Sequence, residues 1–213
     1  CTFSRKAADE IKKRIIDKNS SDLSNYPIGT FHSLANKSLK ELAKTINIKV
    51  PKEYLTFEKE RRSIIEGIKN DNPDITKSLK YDEKISSRIL AYIDEVRERL
   101  LDPEDAYVEA TELNNDLQIC YSQIYKLYEE YLSENELIDY PRMIHFAYKA
   151  FLHDANNKKN YISRFKHILI DEYQDINFSQ KAMIDQILRG GASLWAVGDD
   201  DQAIYGWRGS NVK

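Results

Sequence analysis

Residues 167–175 read His167-Ile168-Leu169-Ile170-Asp171-Glu172-Tyr173-Gln174-Asp175. An apolar run that stops on two adjacent carboxylates is the pattern of a buried strand in a parallel sheet, with its acids at the carboxyl end. In open α/β sheets, ligands bind just outside that edge. Asp171 there suits Mg²⁺, a hard cation that takes carboxylate and water oxygens around a nucleotide's phosphates. Glu172 suits a group that orients and polarises a water for attack on a phosphoryl group. The plainer alternative is a pair of acids that ends a strand and caps a helix. The adjoining Tyr173-Gln174-Asp175 weighs against it.

Working outward, residues 194–198 repeat the arrangement, and the chain continues through Asp199-Asp200-Asp201-Gln202. Gln202 is neutral and both donates and accepts hydrogen bonds, which suits a contact to a γ-phosphate that adds no charge. Beyond it, Tyr205, Trp207 and Arg208 lie among Gly206 and Gly209. Aromatics interleaved with arginine are what stacking on unpaired bases requires, at roughly 1–3 kcal/mol per base. A turn around a buried tryptophan is the alternative, and local chemistry leaves both open.

A third buried strand is expected at residues 26–31. Helices are expected at 6–18, at 31–46 with Ala35, Leu39, Leu42 and Ile46 on one face, and at 177–188. Strands followed by helices predict an α/β fold with a parallel sheet. Between about residues 47 and 138 strand-like runs give way to amphipathic helices. Ile85, Ile89, Tyr92, Val96 and Leu100 recur at helical spacing, as do Leu117, Tyr121, Ile124, Tyr128 and Tyr131. Asn70-Asp71-Asn72-Pro73 and Asp102-Pro103 punctuate them. This block is expected to be an inserted, all-helical subdomain with its tyrosines as packing material. Cys120 is expected to be a core thiol, and His145 and His153 packing or surface residues.

The 213 residues are 41% hydrophobic and 31% charged, with a formal net charge of −3. The hydrophobic share is enough for a core, and the charge balance excludes a protein that coats nucleic acid through bulk positive charge. Cys1 and Cys120 show no metal-ligand spacing, and a reduced, cytoplasmic setting is expected. No apolar run is long enough to span a bilayer, so no membrane partner is expected.

Together these segments resemble the superfamily 1 DNA helicases of the UvrD/Rep/PcrA type. Asp171-Glu172-Tyr173-Gln174-Asp175 is similar to that family's Walker B motif. Residues 198–209, from Gly198 to Gly209, are similar to motif III. Thr2-Phe3-Ser4-Arg5-Lys6-Ala7-Ala8 resembles motif Ia, and Gly29-Thr30-Phe31-His32-Ser33 resembles motif Ib. The resemblance implies an incomplete RecA-like parallel sheet flanked by helices over residues 1–46 and 139–213. Residues 47–138 would form a helical insertion of the 1B kind.

The same resemblance implies ATP and Mg²⁺ as cofactors, with Asp171 on the metal side, through water, and Glu172 as catalytic base. Gln202 would report the nucleotide state. Phe3, Thr30, His32, Tyr205, Trp207 and Arg208 would contact single-stranded DNA or a duplex junction. The implied activity is ATP-driven movement on single-stranded DNA, in the 3′-to-5′ direction, within repair, replication or recombination. Ser4, Arg5 and Ala203 depart from the family pattern, as does Pro141-Arg142 after Leu137-Ile138-Asp139-Tyr140.

No Gly-Lys-Ser/Thr occurs, so the phosphate-cradling loop and its lysine are missing. Cys1-Thr2-Phe3 reads like the end of a strand, and the chain is expected to begin within a domain. A second motor domain with arginine fingers, worth roughly 10³–10⁵ in rate, would follow Lys213. This chain alone is therefore expected to be inactive. Two rival classes are a metal-dependent nuclease built on Asp171, Glu172, Asp175 and residues 199–201, and a non-catalytic module that binds single strands or docks partners.

Overall fold

The computed structural model describes residues 1–2, 5–19, 27–43, 51–77, 79, 84–156, 161–199 and 201. In chain order the elements are α1 (Arg5–Asn19), α2 (Phe31–Leu42), β1 (Glu53–Leu55), α3 (Glu58–Asp71), α4 (Pro73–Thr76), α5 (Ile85–Glu98) and α6 (Pro103–Glu112). They continue with α7 (Asp116–Glu134), β2 (Leu137–Asp139), α8 (Tyr140–Asn156), β3 (His167–Ile170), α9 (Phe178–Arg189) and β4 (Ser193–Ala196). Short 3₁₀ turns cover Ile162–Arg164 and Tyr173–Asp175. The fold is a largely helical α/β arrangement with small parallel sheets. Two compact units emerge: Cys1–Ile48 with Met143–Lys213, and Lys49–Arg142.

In the first unit β3 and β4 pair in parallel, with His167 opposite Ser193 and Ile170 opposite Ala196. Two pairings extend the ladder on the other side of β3. Cys1 donates its amino N–H to Leu169 O, and Cys1 O accepts from Asp171 N–H at 3.0 Å. That bond pattern makes Cys1 a parallel neighbour of Ile170. Thr2 then bridges Thr30, also in parallel. The order across the unit is therefore Thr30, Cys1–Thr2, β3, β4. From the Cys1–Thr2 position the chain first runs to one side and later returns to the other, so the order reverses next to β3.

Helices cover one face. In α2, Phe31, Leu34, Ala35, Ser38, Leu39 and Leu42 are buried at helical spacing. In α9, Met183, Ile184 and Ile187 are buried, and Ile168 and Ile170 of β3 join this core. Asn177 starts α9 as read from sequence: its Oδ1 accepts from Gln180 N–H at 3.0 Å, and Gln180 Oε1 accepts from Asn177 N–H at 3.3 Å. Buried Asp154 accepts from the N–H groups of Tyr161 and Ile162 at 3.1 and 3.0 Å, and Tyr161 stacks on Phe151.

Two expectations are corrected. Residues 27–30 form a single bridge and no strand, because Pro27 has no N–H to give a ladder. The second apolar run is not a buried strand: β4 is exposed along its length, with Trp195 at 64%. Leu169, Trp195 and Val197 share the face that the described helices do not cover.

In the second unit α5 and α7 bring Ile89, Ile93, Val96, Ile124, Tyr125, Tyr128 and Leu132 into one core with Ile65 of α3. Each such side chain contributes roughly 1.5–3 kcal/mol by leaving water. Cys120 is buried there and donates to Ile75 O at 3.1 Å, as expected of a core thiol. Tyr92, Tyr121 and Tyr128 pack inside, whereas Leu117 and Tyr131 from the same periodic set are exposed. The 3.6-residue period drifts across a 19-residue helix, so its ends leave the core face. Pro73 and Pro103 open α4 and α6 where the sequence breaks were read.

The all-helical expectation for this block is also corrected. β1 and β2 pair in parallel, Glu53 opposite Leu137 and Leu55 opposite Asp139. Three-residue strands are too short to leave a period. Asp139, the last residue of β2, sits in an ionic cluster in which Arg61, Arg97 and Arg142 face Asp94, Glu129 and Asp139. Arg97 Nη1 lies 2.9 and 3.0 Å from the Asp139 carboxylate oxygens. Arg61 Nε lies 3.0 Å from Asp139 Oδ2, and Tyr128 Oη donates to the same oxygen at 2.9 Å. Arg97 also stacks against Tyr125 and Tyr128, 5.3 and 5.4 Å from their ring centres.

Burial drives the Asp139 carboxyl upward, but Arg97 first and Arg61 next outweigh it and hold the pKa down to about 2. Asp139 also caps α8, its Oδ1 accepting from Arg142 N–H at 2.9 Å. The Arg142 side chain donates to Glu129 Oε2 at 2.7 Å and to Leu137 O at 2.8 Å. Pro141-Arg142, which departs from the family pattern, therefore forms an anchored helix start.

Candidate functional site

Because every pairing in the first unit is parallel, the carboxyl ends of its strands share one edge. Thr30, Thr2, Asp171–Glu172 and Gly198–Asp199 lie along it. Neighbouring strands are about 4.8 Å apart, so Thr30 sits about 10 Å from β3. The reversal of strand order falls between Cys1–Thr2 and β3, with Asp171 directly beside it. That crevice is where open α/β sheets take ligands.

Asp171 is half-buried at the end of β3 and is fixed by its N–H bond to Cys1 O. Glu172 is exposed and adopts left-handed backbone angles, φ 54° and ψ 49°. That conformation costs a non-glycine residue on the order of 1 kcal/mol or more and concentrates at functional sites. It turns the chain out of the sheet plane into the Tyr173–Asp175 3₁₀ turn. The turn is tied to β4: Tyr173 N–H donates to Val197 O at 3.0 Å, and Val197 N–H to Ile170 O at 2.9 Å. Gly198 allows the approach, since a Cβ there would stand 2.5 Å from Gln174 Oε1 and 3.2 Å from Tyr173 N.

The carboxyl of Asp175 is raised above the ordinary range, by burial first and by the negative charge of Glu172 second. Its Oδ1 is buried and accepts no hydrogen bond among the described groups. Among the described residues no three potential ligands gather around a point that could hold a metal ion. One or two carboxylates beside open space suit Mg²⁺ carried in on phosphates, where substrate oxygens and water complete the shell.

Thr30 and His32 sit at the opposite end of the edge. Thr30 Oγ1 accepts from Ser33 N–H at 3.3 Å and caps α2. His32 lies in the first turn, and burial lowers its pKa. The structure brings Asp171 and Glu172 together and sets Thr30 and His32 on the same edge. Phe3, Gln202, Tyr205, Trp207 and Arg208, together with Ser4 and Asp200, lie outside the described residues. Gln174 has no role among the residues singled out from the sequence, yet its amide bonds Glu172 on one side and Asp199 on the other. The sequence signal was an amide two positions after a carboxylate, but its second partner is distant in sequence and could not be read.

No helix among the described residues is long and apolar enough to cross a membrane. The chain is 29% identical over 211 residues to a probable DNA helicase II homolog of Mycoplasma capricolum subsp. capricolum, covering 99% of this chain and 28% of that protein. It is 29% identical over 212 residues to the ATP-dependent DNA helicase PcrA of Staphylococcus epidermidis, covering 100% of this chain and 28% of PcrA. It is 30% identical over 213 residues to the ATP-dependent DNA helicase Rep of Buchnera aphidicola, covering 99% of this chain and 30% of Rep. The chain thus spans under a third of the length of these relatives. The family model described as the UvrD/REP helicase N-terminal domain matches residues 1–213 in full, and the chain belongs to that family.

Proposed function

We propose that this chain carries the hydrolytic edge and part of the DNA track of an ATP-dependent DNA helicase that moves along single-stranded DNA. The observation that supports this most is Glu172, held in a left-handed turn at the carboxyl end of β3 where the strand order reverses. Residues 1–46 and 139–213 form the partial motor domain, and residues 47–138 the 1B-like insertion. Bound Mg²⁺–ATP would supply the phosphoryl group that is transferred and the positive charge beside it.

Asp171 holds the metal side through water, and Glu172 orients the attacking water and takes its proton. Gln202 contacts the γ-phosphate. Phe3, Thr30, His32, Tyr205, Trp207 and Arg208 contact single-stranded DNA or a duplex junction, and movement runs 3′ to 5′ during repair, replication or recombination inside the cell. The relatives named as ATP-dependent DNA helicases support this reading. The 213 residues by themselves contain no phosphate loop and are inactive alone in this reading.

The test is Glu172→Gln in the complete protein. It abolishes DNA-stimulated ATP hydrolysis and leaves nucleotide binding intact. Retained hydrolysis refutes the assignment of Glu172. Absence of ATPase activity in the unmodified protein points instead to a non-catalytic, DNA-binding module.

A further inference from the structure

Gln174 is only 3% exposed, although its side chain is an amide. Both ends of that amide are engaged. Nε2 donates to Glu172 Oε2 at 2.7 Å, and Oε1 accepts from the backbone N–H of Asp199 at 3.0 Å. These partners fix which way the amide points: reversed, it would set an N–H₂ group against an N–H and a carbonyl against a carboxylate. A leucine would fill nearly the same space, so burial alone does not call for an amide.

The surroundings hold the amide in place. The Tyr173–Val197 and Val197–Ile170 backbone bonds lock the 3₁₀ turn onto the end of β4. Gly198 offers no side chain, so Gln174 Oε1 can come within hydrogen-bonding distance of Asp199 N. Glu172 itself is exposed, and among the described residues no other hydrogen bond restrains its carboxylate.

We propose that Gln174 is a positioning residue: it holds the Glu172 carboxylate in one orientation and ties it to the backbone of Asp199. The water-orienting group and the start of residues 199–202 then keep a common geometry. A change in the path of that segment reaches Glu172 through a single amide. The catalytic consequence rests on the reading of Glu172 given above, whereas the clamp itself does not.

Two measurements test it. The first is amide hydrogen exchange at Asp199 in the full chain, for Gln174→Leu, Glu172→Leu and the double variant. Exchange rises about threefold to tenfold in Gln174→Leu, as loss of one hydrogen bond implies. It rises in Glu172→Leu as well, because the amide has lost its other anchor, and it rises no further in the double variant. Unchanged exchange in Gln174→Leu, or additive effects, overturns the clamp.

The second is steady-state ATP turnover by the complete protein. Gln174→Leu lowers kcat ~10–100-fold, the usual effect of losing a group that orients a reacting residue, with KM for ATP little changed. Gln174→Glu keeps an acceptor for Asp199 but repels Glu172, so Asp199 exchange rises no further than in Glu172→Leu while kcat still falls. A fall in kcat matched by a rise in KM and a lower unfolding midpoint means a merely structural role and overturns the proposal. Unchanged kcat overturns it too. If the unmodified protein does not turn over ATP, the reading of Glu172 fails and the catalytic role with it, while the exchange cycle still decides the clamp.

Discussion

Asp139→Asn is the most informative single substitution in the helical unit. Asp139 is 1% exposed and accepts from Arg97, Arg61, Tyr128 and the Arg142 N–H. Asparagine keeps the shape but removes the charge, and it points an N–H₂ group at donors. Arg61, Arg97 and Arg142 would then face only Asp94 and Glu129. Breaking a buried pair in this way costs about 3–5 kcal/mol.

Protonation gives a second, independent magnitude. Asp139 has a folded-state pKa of about 2 against an ordinary 3.8, a depression worth roughly 2–3 kcal/mol. Its sign is fixed: the contribution is present above the unfolded value and is lost as pH falls from about 4 to about 2. Asparagine should cost more than protonation, because a protonated acid keeps its acceptor oxygens.

Urea unfolding followed by far-ultraviolet circular dichroism reads the helices of both units, so a transition in it that tryptophan fluorescence does not share reports the helical unit. The tryptophans, Trp195 and Trp207, both lie in the other unit, and their fluorescence reads that one. A loss under about 1 kcal/mol at pH 7 would refute the reasoning, as would an identical slope between pH 4 and pH 2 with and without the carboxylate.

Two other substitutions probe the strand-end edge of the first unit. Thr30→Ala removes the cap of α2 and costs about 1 kcal/mol in thermal or urea unfolding, and Thr30→Ser restores it. Equal stability of the alanine variant would show that the cap does not hold α2. Gly198→Ala forces a Cβ to within 2.5 Å of Gln174 Oε1. It should cost about 1–3 kcal/mol by overpacking and accelerate Asp199 amide exchange; unchanged exchange would show that the turn and β4 can separate freely.

The chemistry-bearing segments were legible because each is local. An apolar run ending in Asp171-Glu172 announces a strand with acids at its end, and α2 announces itself by its period, whereas the caps Thr30 and Asn177 came from the structure. The β1–β2 pair was not legible, since three residues leave no period and their pairing joins segments far apart in sequence. The exposure of β4 was also hidden: Trp195 and Val197 read as buried by type, but burial is set by what covers a face.

The sequence by itself determined which groups are candidates for a site, because a carboxylate, an amide and an arginine keep their chemistry wherever they lie. Only the tertiary structure decided which of these groups meet. Parallel pairing of residues remote in the chain places Thr30 and Glu172 on one edge and lets Gln174 reach Asp199. It likewise gathers Arg61, Arg97 and Arg142 around Asp139. Hydrogen bonds and ion pairs act over a few ångströms of space, and separation along the chain does not reveal that distance.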